Sequence, residues 1–235
     1  MGLSSDHNSR KGEVKSRTDA INPDCRGVRG SGGLPKWGKE LLEDGMIYLF
    51  NLAKAQKMSL VFWTITIPTF CVDGSPITPK DHQLILANWS ELVKRIFEEL
   101  AREQTRLGLP AKWLHVVEPQ EQRWREHRQF APHIHAVILN RYQDGWMLSH
   151  ETTDRIVQRC FSNLLGKPVD VRSACNLAPI HGMSRLAFYL TKLGKIGRYL
   201  SKGSRLMGEF REAGVTLPSS WYGSDAETRQ IVRAC

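Results

Sequence analysis

The chain has 235 residues, of which 41% are hydrophobic and 24% charged, which is typical of a globular protein with one main domain and a small accessory segment. Its formal charge of +9 favours a polyanionic partner such as a nucleic acid. No apolar run approaches the roughly 18 residues of a membrane-spanning helix, and the first residues lack a signal-peptide core. Five scattered cysteines without a Cys-x-x-Cys pair argue against a structural zinc site and fit a reducing compartment. We therefore expect a cytoplasmic protein without a membrane partner.

Composition divides the chain into three parts. Residues 1–35 are polar, glycine-rich and basic, which predicts a flexible N-terminal arm, although a solvated tail without function explains the same composition. Residues 36–223 carry the apolar patterning of a folded domain, and residues 224–235 are expected to form a C-terminal tail.

The folded part alternates between helix and strand signals. The predicted elements are, in chain order, a helix at 37–57, a strand at 60–67, a helix at 78–108, strands at 113–117 and 130–139, a helix at 149–166, a strand at 169–172 and a helix at 183–193. Pro68 stops the first strand, and Ser149 and Gly166 are the expected ends of the third helix. Because two strands follow one another directly, the order predicts an α+β fold in which helices pack on an antiparallel sheet.

The strongest chemical signal is the pair His133 and His135 within an apolar strand. Alternate residues of a strand point to the same face, so the two imidazoles are expected side by side. Burying both is costly unless a partner satisfies them, and a metal ion does so because neutral imidazole is a favoured ligand. A pair of core histidines that bind backbone or carboxylate groups is the alternative.

Glu118 ends the preceding strand, directly before Pro119. If the two strands form a hairpin, its carboxylate can lie beside His133 and His135. Two histidines and one carboxylate make a metal site that leaves positions open for substrate oxygen atoms. An exposed carboxylate at a strand end is the alternative interpretation of Glu118.

A third signal is the motif Tyr-x-x-Lys, which occurs twice, as Tyr189 with Lys192 and as Tyr199 with Lys202. Residues three apart on a helix are neighbours, and a nearby ammonium favours the nucleophilic phenolate. The surrounding segment is basic, which predicts phosphate contacts by Arg185, Lys195, Arg198 and Arg205. An amphipathic helix with buried aromatics and solvated lysines explains the segment equally simply.

In combination, these patterns resemble the HUH endonucleases, and in particular the rolling-circle replication initiators of plasmids and phages. The resemblance spans about residues 58–205. Its first motif corresponds to the strand with Phe62, Thr64 and Thr66 before Pro68, its second to His133 and His135, and its third to the Tyr-x-x-Lys pairs.

The resemblance implies a central sheet of about five antiparallel strands, of the ferredoxin or RRM-like type, with flanking helices. It also implies that His133, His135 and Glu118 hold Mg²⁺ or Mn²⁺, and that a tyrosine cleaves single-stranded or cruciform DNA at a replication origin. The products would be a 5′-phosphotyrosine and a free 3′-OH. Because the chain has no Gly-x4-Gly-Lys-Ser/Thr sequence for a helicase of its own, a host helicase and DNA polymerase would be its partners in a bacterial cytoplasm.

The third motif departs from the family pattern. The two tyrosines are ten residues apart instead of four, which leaves them about 80° out of phase on a helix that Gly194 and Gly197 interrupt. We therefore expect one nucleophile, with a slight preference for Tyr199 over Tyr189, because basic residues flank Tyr199 on both sides.

Four other functions fit parts of the same pattern. A transposase or a relaxase of the HUH superfamily is the nearest alternative enzyme. A relaxase is disfavoured because the chain lacks a third histidine in the metal motif and a tyrosine near its N-terminus. A phosphoesterase with two His-x-Thr motifs is disfavoured because Thr64 and Thr66 have no partnering histidine. A replication-control protein that binds DNA without cleaving it remains open, since the element order and the basic charge suit it equally.

Overall fold

The computed structural model describes residues 36–180, 205–218 and 221–234. The strands are β1 (Ser59–Ile65), β2 (Phe70–Cys71), β3 (Trp113–Glu118), β4 (His133–Asn140), β5 (Val169–Asp170), β6 (Cys175–Ile180) and β7 (Tyr222–Ser224). The helices are α1 (Lys36–Ala55), α2 (Pro79–Ala87), α3 (Trp89–Arg106), α4 (Glu121–His127), α5 (His150–Leu165), α6 (Arg205–Glu212) and α7 (Ala226–Ala234).

Five strands form one antiparallel sheet in the order β6-β1-β4-β3-β7, which confirms the expected α+β fold. β4 lies in the middle of the sheet, and every residue in it except His133 is buried. A strand that is apolar on both faces is stable only where both faces are covered, so the apolar run of β4 determines its central position.

Helices cover both faces of this sheet. On one face, Phe97 of α3 packs edge-on against Trp63 and stacks on Trp113, and α5 packs beside α3. α1 contacts β1, β3 and β4, and Tyr48 on it donates a hydrogen bond to Glu227 of α7. Because α3 and α5 occupy the first face, α1 lies on the second, which is the face that carries the histidine pair.

The expected helix over 78–108 is two helices, which is a correction to the sequence analysis. Thr78 caps α2 as predicted, through hydrogen bonds with Asp81 in both directions. The helix ends at Asn88, whose side-chain amide donates to the carbonyl oxygen of Leu84 at 2.9 Å. An asparagine side chain that bonds its own backbone in this way competes with the helical pattern.

Other elements differ from their predictions in location. The expected strand at 169–172 is β5, and it pairs with β2 in a separate two-stranded sheet. The polar excursion between β3 and β4 contains α4, and β6 at the edge of the main sheet was not predicted. In contrast, α5 is capped at Ser149 and closed by a left-handed Gly166, as expected.

The structure describes the C-terminal end of the chain but not the N-terminal end. The arm over 1–35 and the helix expected at 183–193 lie outside the described residues. The segment expected as a tail from 224 contains α7, which packs on α1 and is anchored by Asp225. The Asp225 carboxylate accepts from Trp113 N at 3.1 Å and from Thr228 Oγ1 at 2.6 Å, and Lys112 Nζ lies 3.3 Å from it. No helix in the described ranges is both long and apolar enough to cross a membrane.

Candidate functional site

The antiparallel pairing of β3 with β4 brings the three predicted metal ligands to one face of the sheet. Glu118 lies directly opposite His133, and Val116 lies opposite His135. On the other side of β4, Thr64 of β1 lies opposite His135. The hairpin expected from the sequence therefore forms, and its register, which the sequence did not reveal, places Glu118 opposite His133 with its carboxylate in contact with His135.

His135 is held on three sides. Its side chain is only 2% exposed. Its Nε2 lies 2.5 Å from Glu118 Oε2, and its Nδ1 lies 3.2 Å from Thr64 Oγ1. The ring also stacks on Phe62, with 5.4 Å between the ring centroids. These contacts fix the ring plane and direct Nε2 towards the carboxylate.

His133 is more open to solvent and is held by Gln120. Gln120 Nε2 lies 3.2 Å from His133 Nδ1, and the two histidine ring centroids are 6.0 Å apart. Gln120 has a left-handed backbone with φ of 48°, an uncommon conformation for a residue with a side chain. Such local strain persists only where surrounding contacts impose it, and it is concentrated at functional sites.

The outer contacts of both rings are made by groups that can donate or accept. The Thr64 hydroxyl can donate to His135 Nδ1 or accept a proton from it. As placed, the Gln120 amide nitrogen donates to His133 Nδ1, and its buried Oε1 has no hydrogen-bond partner among the described residues. Rotating the amide by half a turn gives Oε1 a partner and puts the ring proton on Nδ1. Either ring can therefore present a lone pair on Nε2.

These residues fit a divalent ion by donor chemistry. Two imidazoles and one carboxylate are a known ligand set that leaves sites open for a substrate. A carboxylate oxygen and an imidazole nitrogen 2.5 Å apart must share either a proton or a cation. As the side chains stand, no group of three or more histidine, cysteine or acidic residues in the described ranges is arranged to hold a metal ion, and Glu118 bonds His135 directly.

The site opens into a polar cleft of about 1060 Å³. One wall is α4, inserted between β3 and β4, which contributes both charges to the cleft. Its lining residues include Glu121, Arg123, Arg125, Glu126 and His127. Arg125 is paired with Glu121, and Arg123 Nε donates to Gln129 Oε1 at 3.0 Å. The cleft therefore presents both positive and negative side chains beside the histidine pair.

Seven of the predicted site residues lie outside the described residues: Tyr189, Tyr199, Lys192, Lys202, Arg185, Lys195 and Arg198. Arg205, the predicted DNA contact that is described, begins α6 with a side chain 93% exposed and an ion pair to Glu209 at 3.0 Å. It does not line the cleft.

A third histidine of the hairpin, His115, is not part of the site. It lies on the opposite face of β3, stacked on Phe97 with 4.2 Å between centroids. Burial, with a smaller contribution from the charge of Arg229, lowers the pKa of His115 to about 3, so the ring is neutral. His115 and Glu118 are an odd number of residues apart on β3, so the sequence alone indicates that they point to opposite faces.

Two residues of the site were not predicted as such. Thr64 was noted only as part of a motif, and Gln120 was not singled out. The contact made by Thr64 depends on the register of β1 against β4, which motif spacing does not specify.

Comparisons of the chain with protein-family models, with curated proteins and with solved structures gave no match.

Proposed function

We propose that the protein is a metal-dependent endonuclease that nicks single-stranded DNA and joins the resulting end to one of its own tyrosines. The observation that carries this proposal is the position of Glu118, opposite His133 and 2.5 Å from His135, at the edge of an open polar cleft. A cluster of this kind on a rigid central strand suits the binding of a reacting phosphate better than it suits core packing.

His133, His135 and Glu118 would hold the ion, Mg²⁺ or Mn²⁺, and the ion when bound would polarise the scissile phosphate. Thr64 and Gln120 orient the two rings, which is the usual work of outer hydrogen-bond partners in metal sites. Since imidazole donors suit Mn²⁺ better than Mg²⁺, which prefers oxygen ligands, we expect Mn²⁺ to support the stronger activity.

The nucleophile in this proposal is the phenolic oxygen of Tyr199 or Tyr189. The oxygen–phosphorus bond to tyrosine forms as the bond from phosphorus to the 3′ oxygen breaks. The proton lost by the phenol is balanced by the proton gained at the new 3′-OH. Lys202 or Lys192 would favour the phenolate through its positive charge. One phosphodiester is exchanged for another, so the step can be reversed to rejoin the strand.

The biological setting proposed here is initiation of rolling-circle replication on a plasmid or phage origin in bacterial cytoplasm. The free 3′-OH left by the nick is the group that a DNA polymerase extends. A host helicase would unwind the duplex, because the sequence has no phosphate-binding loop for that purpose. A transposase or relaxase of the same superfamily would use the same chemistry on other DNA ends.

A test is cleavage of a labelled, random-sequence single-stranded DNA pool in Mn²⁺ or EDTA. We expect cleavage in Mn²⁺ only, and its loss in His133→Gln. His150→Gln is the matched control, since His150 is an exposed residue at the start of α5 and lies outside the cleft. Equal cleavage by both variants, or cleavage in EDTA, would contradict the proposal.

The direct Glu118–His135 contact also favours a second function, DNA binding without cleavage. It gives both groups a hydrogen-bond partner with no ion present. A protein of this kind would bind single strands equally well in Mn²⁺ and EDTA and would leave them uncut in both.

A further inference from the structure

A second, smaller cavity lies next to the cleft. Its volume is about 310 Å³, at the lower end of the roughly 300–1,000 Å³ of small-ligand pockets. It is formed by the segment after β1, the start of α2 and the residues around α4. A cavity of this size admits one small flat group and excludes a base-paired duplex.

Arg123 and Gln129 line both the cleft and the small cavity. The hydrogen bond from Arg123 Nε to Gln129 Oε1 holds the guanidinium between the two spaces. Among the residues that the structure describes, no carboxylate lies within ion-pair distance of Arg123, whereas Arg125 is paired with Glu121 and Arg128 lies 3.6 Å from Glu209. Arg123 is therefore the arginine of α4 whose charge is available to an anion at this boundary.

The walls of the small cavity match the chemistry of a nucleobase. Ile67 and Pro68 are buried and give an apolar surface, and the exposed amide of Gln83 stands at the rim. His82 Nε2 lies 2.9 Å from the carbonyl oxygen of Phe130, which can only accept, so Nε2 carries the proton and Nδ1 is an acceptor. Burial lowers the pKa of His82 and keeps this ring neutral. Apolar walls with a few hydrogen-bonding groups suit a flat heterocycle with polar edges.

We propose that the small cavity binds one unstacked base of the DNA strand in the cleft, and that Arg123 binds the phosphate between this nucleotide and the one beside His133. This inference rests on the proposed function, because it requires a single strand in the cleft. It assigns a base subsite to residues of α2, and it predicts a preference for single-stranded over duplex DNA, since only an unpaired base can leave its stack.

The experiment measures binding of the full chain to fluorescent oligothymidylate by anisotropy in EDTA, so that no cleavage occurs. The strand is longer than the site covered by a small single-strand-binding domain, which is about 4–16 nucleotides. Arg123→Gln should lower the slope of log affinity against log salt by about 0.7, the value for one phosphate contact on a single strand. Arg102→Gln is the control, because Arg102 is an exposed residue of α3 that pairs with Glu99 and lines neither cavity.

A second arm tests the base. Gln83→Ala should weaken binding to oligothymidylate several-fold but leave binding to an abasic strand of equal length unchanged. Leu84→Ala, the next residue and exposed outside the cavity, should change neither. Both substituted positions in α2 are exposed, and a thermal melt checks that the variants fold.

The inference is overturned if Arg123→Gln keeps the full salt slope, or if Gln83→Ala lowers binding to normal and abasic strands by the same factor. Failure of the proposed function is a separate result. In that case the wild-type chain does not cut DNA in Mn²⁺, whatever these binding variants do.

Discussion

The hydroxyl of Thr64 contacts His135, and removing it tests whether outer contacts position the histidine pair for metal binding. Thr64→Val removes that hydroxyl and keeps the shape and β-branching of the side chain, so β1 should form as before. The change leaves His135 Nδ1 without the oxygen that lies 3.2 Å from it. The ring then loses one of the contacts that direct its Nε2 towards Glu118.

The expected effect on metal binding is larger than the effect on folding. One hydrogen bond between neutral groups contributes about 1 kcal/mol to the free energy of unfolding. Removing an outer partner of a metal-binding histidine lowers metal affinity about 10- to 100-fold. We therefore expect Thr64→Val to fold, to melt at a slightly lower temperature and to bind Mn²⁺ at least about tenfold more weakly.

Titration with Mn²⁺, followed by the electron paramagnetic resonance signal of the free ion, measures this affinity without any DNA. Thr66→Val is the matched control. Thr66 lies just beyond β1 and does not line the cleft, and its hydroxyl donates to the carbonyl oxygen of Ala174 at 3.2 Å. It should lose a similar amount of stability and keep its Mn²⁺ affinity. Equal Mn²⁺ affinities in the wild type and both variants, or an equal loss in both variants, would refute the reasoning.

Three further predictions concern the same hairpin and its far face. Gln120→Leu should lower Mn²⁺ affinity about tenfold or more, while Gln120→Glu, which can accept from His133 Nδ1, should retain most of it; equal losses in the two would contradict the positioning role. Gly223→Ala should lower the free energy of unfolding by about 1–3 kcal/mol in a denaturant melt, because the added Cβ would lie 2.5 Å from the ring of His115. Gly208→Ala is the control: its added Cβ meets nothing within 4 Å, and it should stabilise α6. Because burial lowers the pKa of His115 from 6.5 to about 3, the unfolded chain takes up a proton in that range and the folded chain does not. Stability should then fall as the pH drops below about 6.5, by up to about 1.4 kcal/mol per unit, and thermal melts should show a smaller loss in His115→Gln.

Much of the fold follows from local sequence patterns. The continuous apolar run around His133 and His135 could only be a buried strand, and the structure places it at the centre of the sheet. The caps at Thr78 and Ser149 also appear as predicted, because the groups that make a cap lie within a few residues of each other.

What the sequence did not reveal depends on contacts between distant residues. The register of β1 against β4 decides that Thr64 meets His135, and the two residues are far apart in the chain. β6 was missed because it has Pro179 near its end and little alternation, and it is stabilised by pairing with β1 at the sheet edge. The break at Asn88 results from a side-chain hydrogen bond that competes with a strong helical pattern.

The sequence predicted that Glu118 lies beside the histidine pair only if the two strands form a hairpin. That hairpin forms although α4 is inserted between its strands. The insertion supplies Gln120 and Arg123, whose roles cannot be recognised from a short sequence motif. Outer partners of a site are difficult to predict from sequence because their identity is set by position in space, and many polar side chains serve equally well.

The most direct test of the central claim is a covalent adduct between the protein and DNA. Single-stranded DNA labelled at either its 3′ or its 5′ end is incubated with the full chain and Mn²⁺ and run on a denaturing gel. We predict that the 3′ label migrates with the protein and the 5′ label stays on a free fragment, as a 5′-phosphotyrosine requires. EDTA, Glu118→Gln or the double variant Tyr189→Phe with Tyr199→Phe should each abolish the adduct. An adduct that survives in the double tyrosine variant, or no adduct with any strand, would contradict the account.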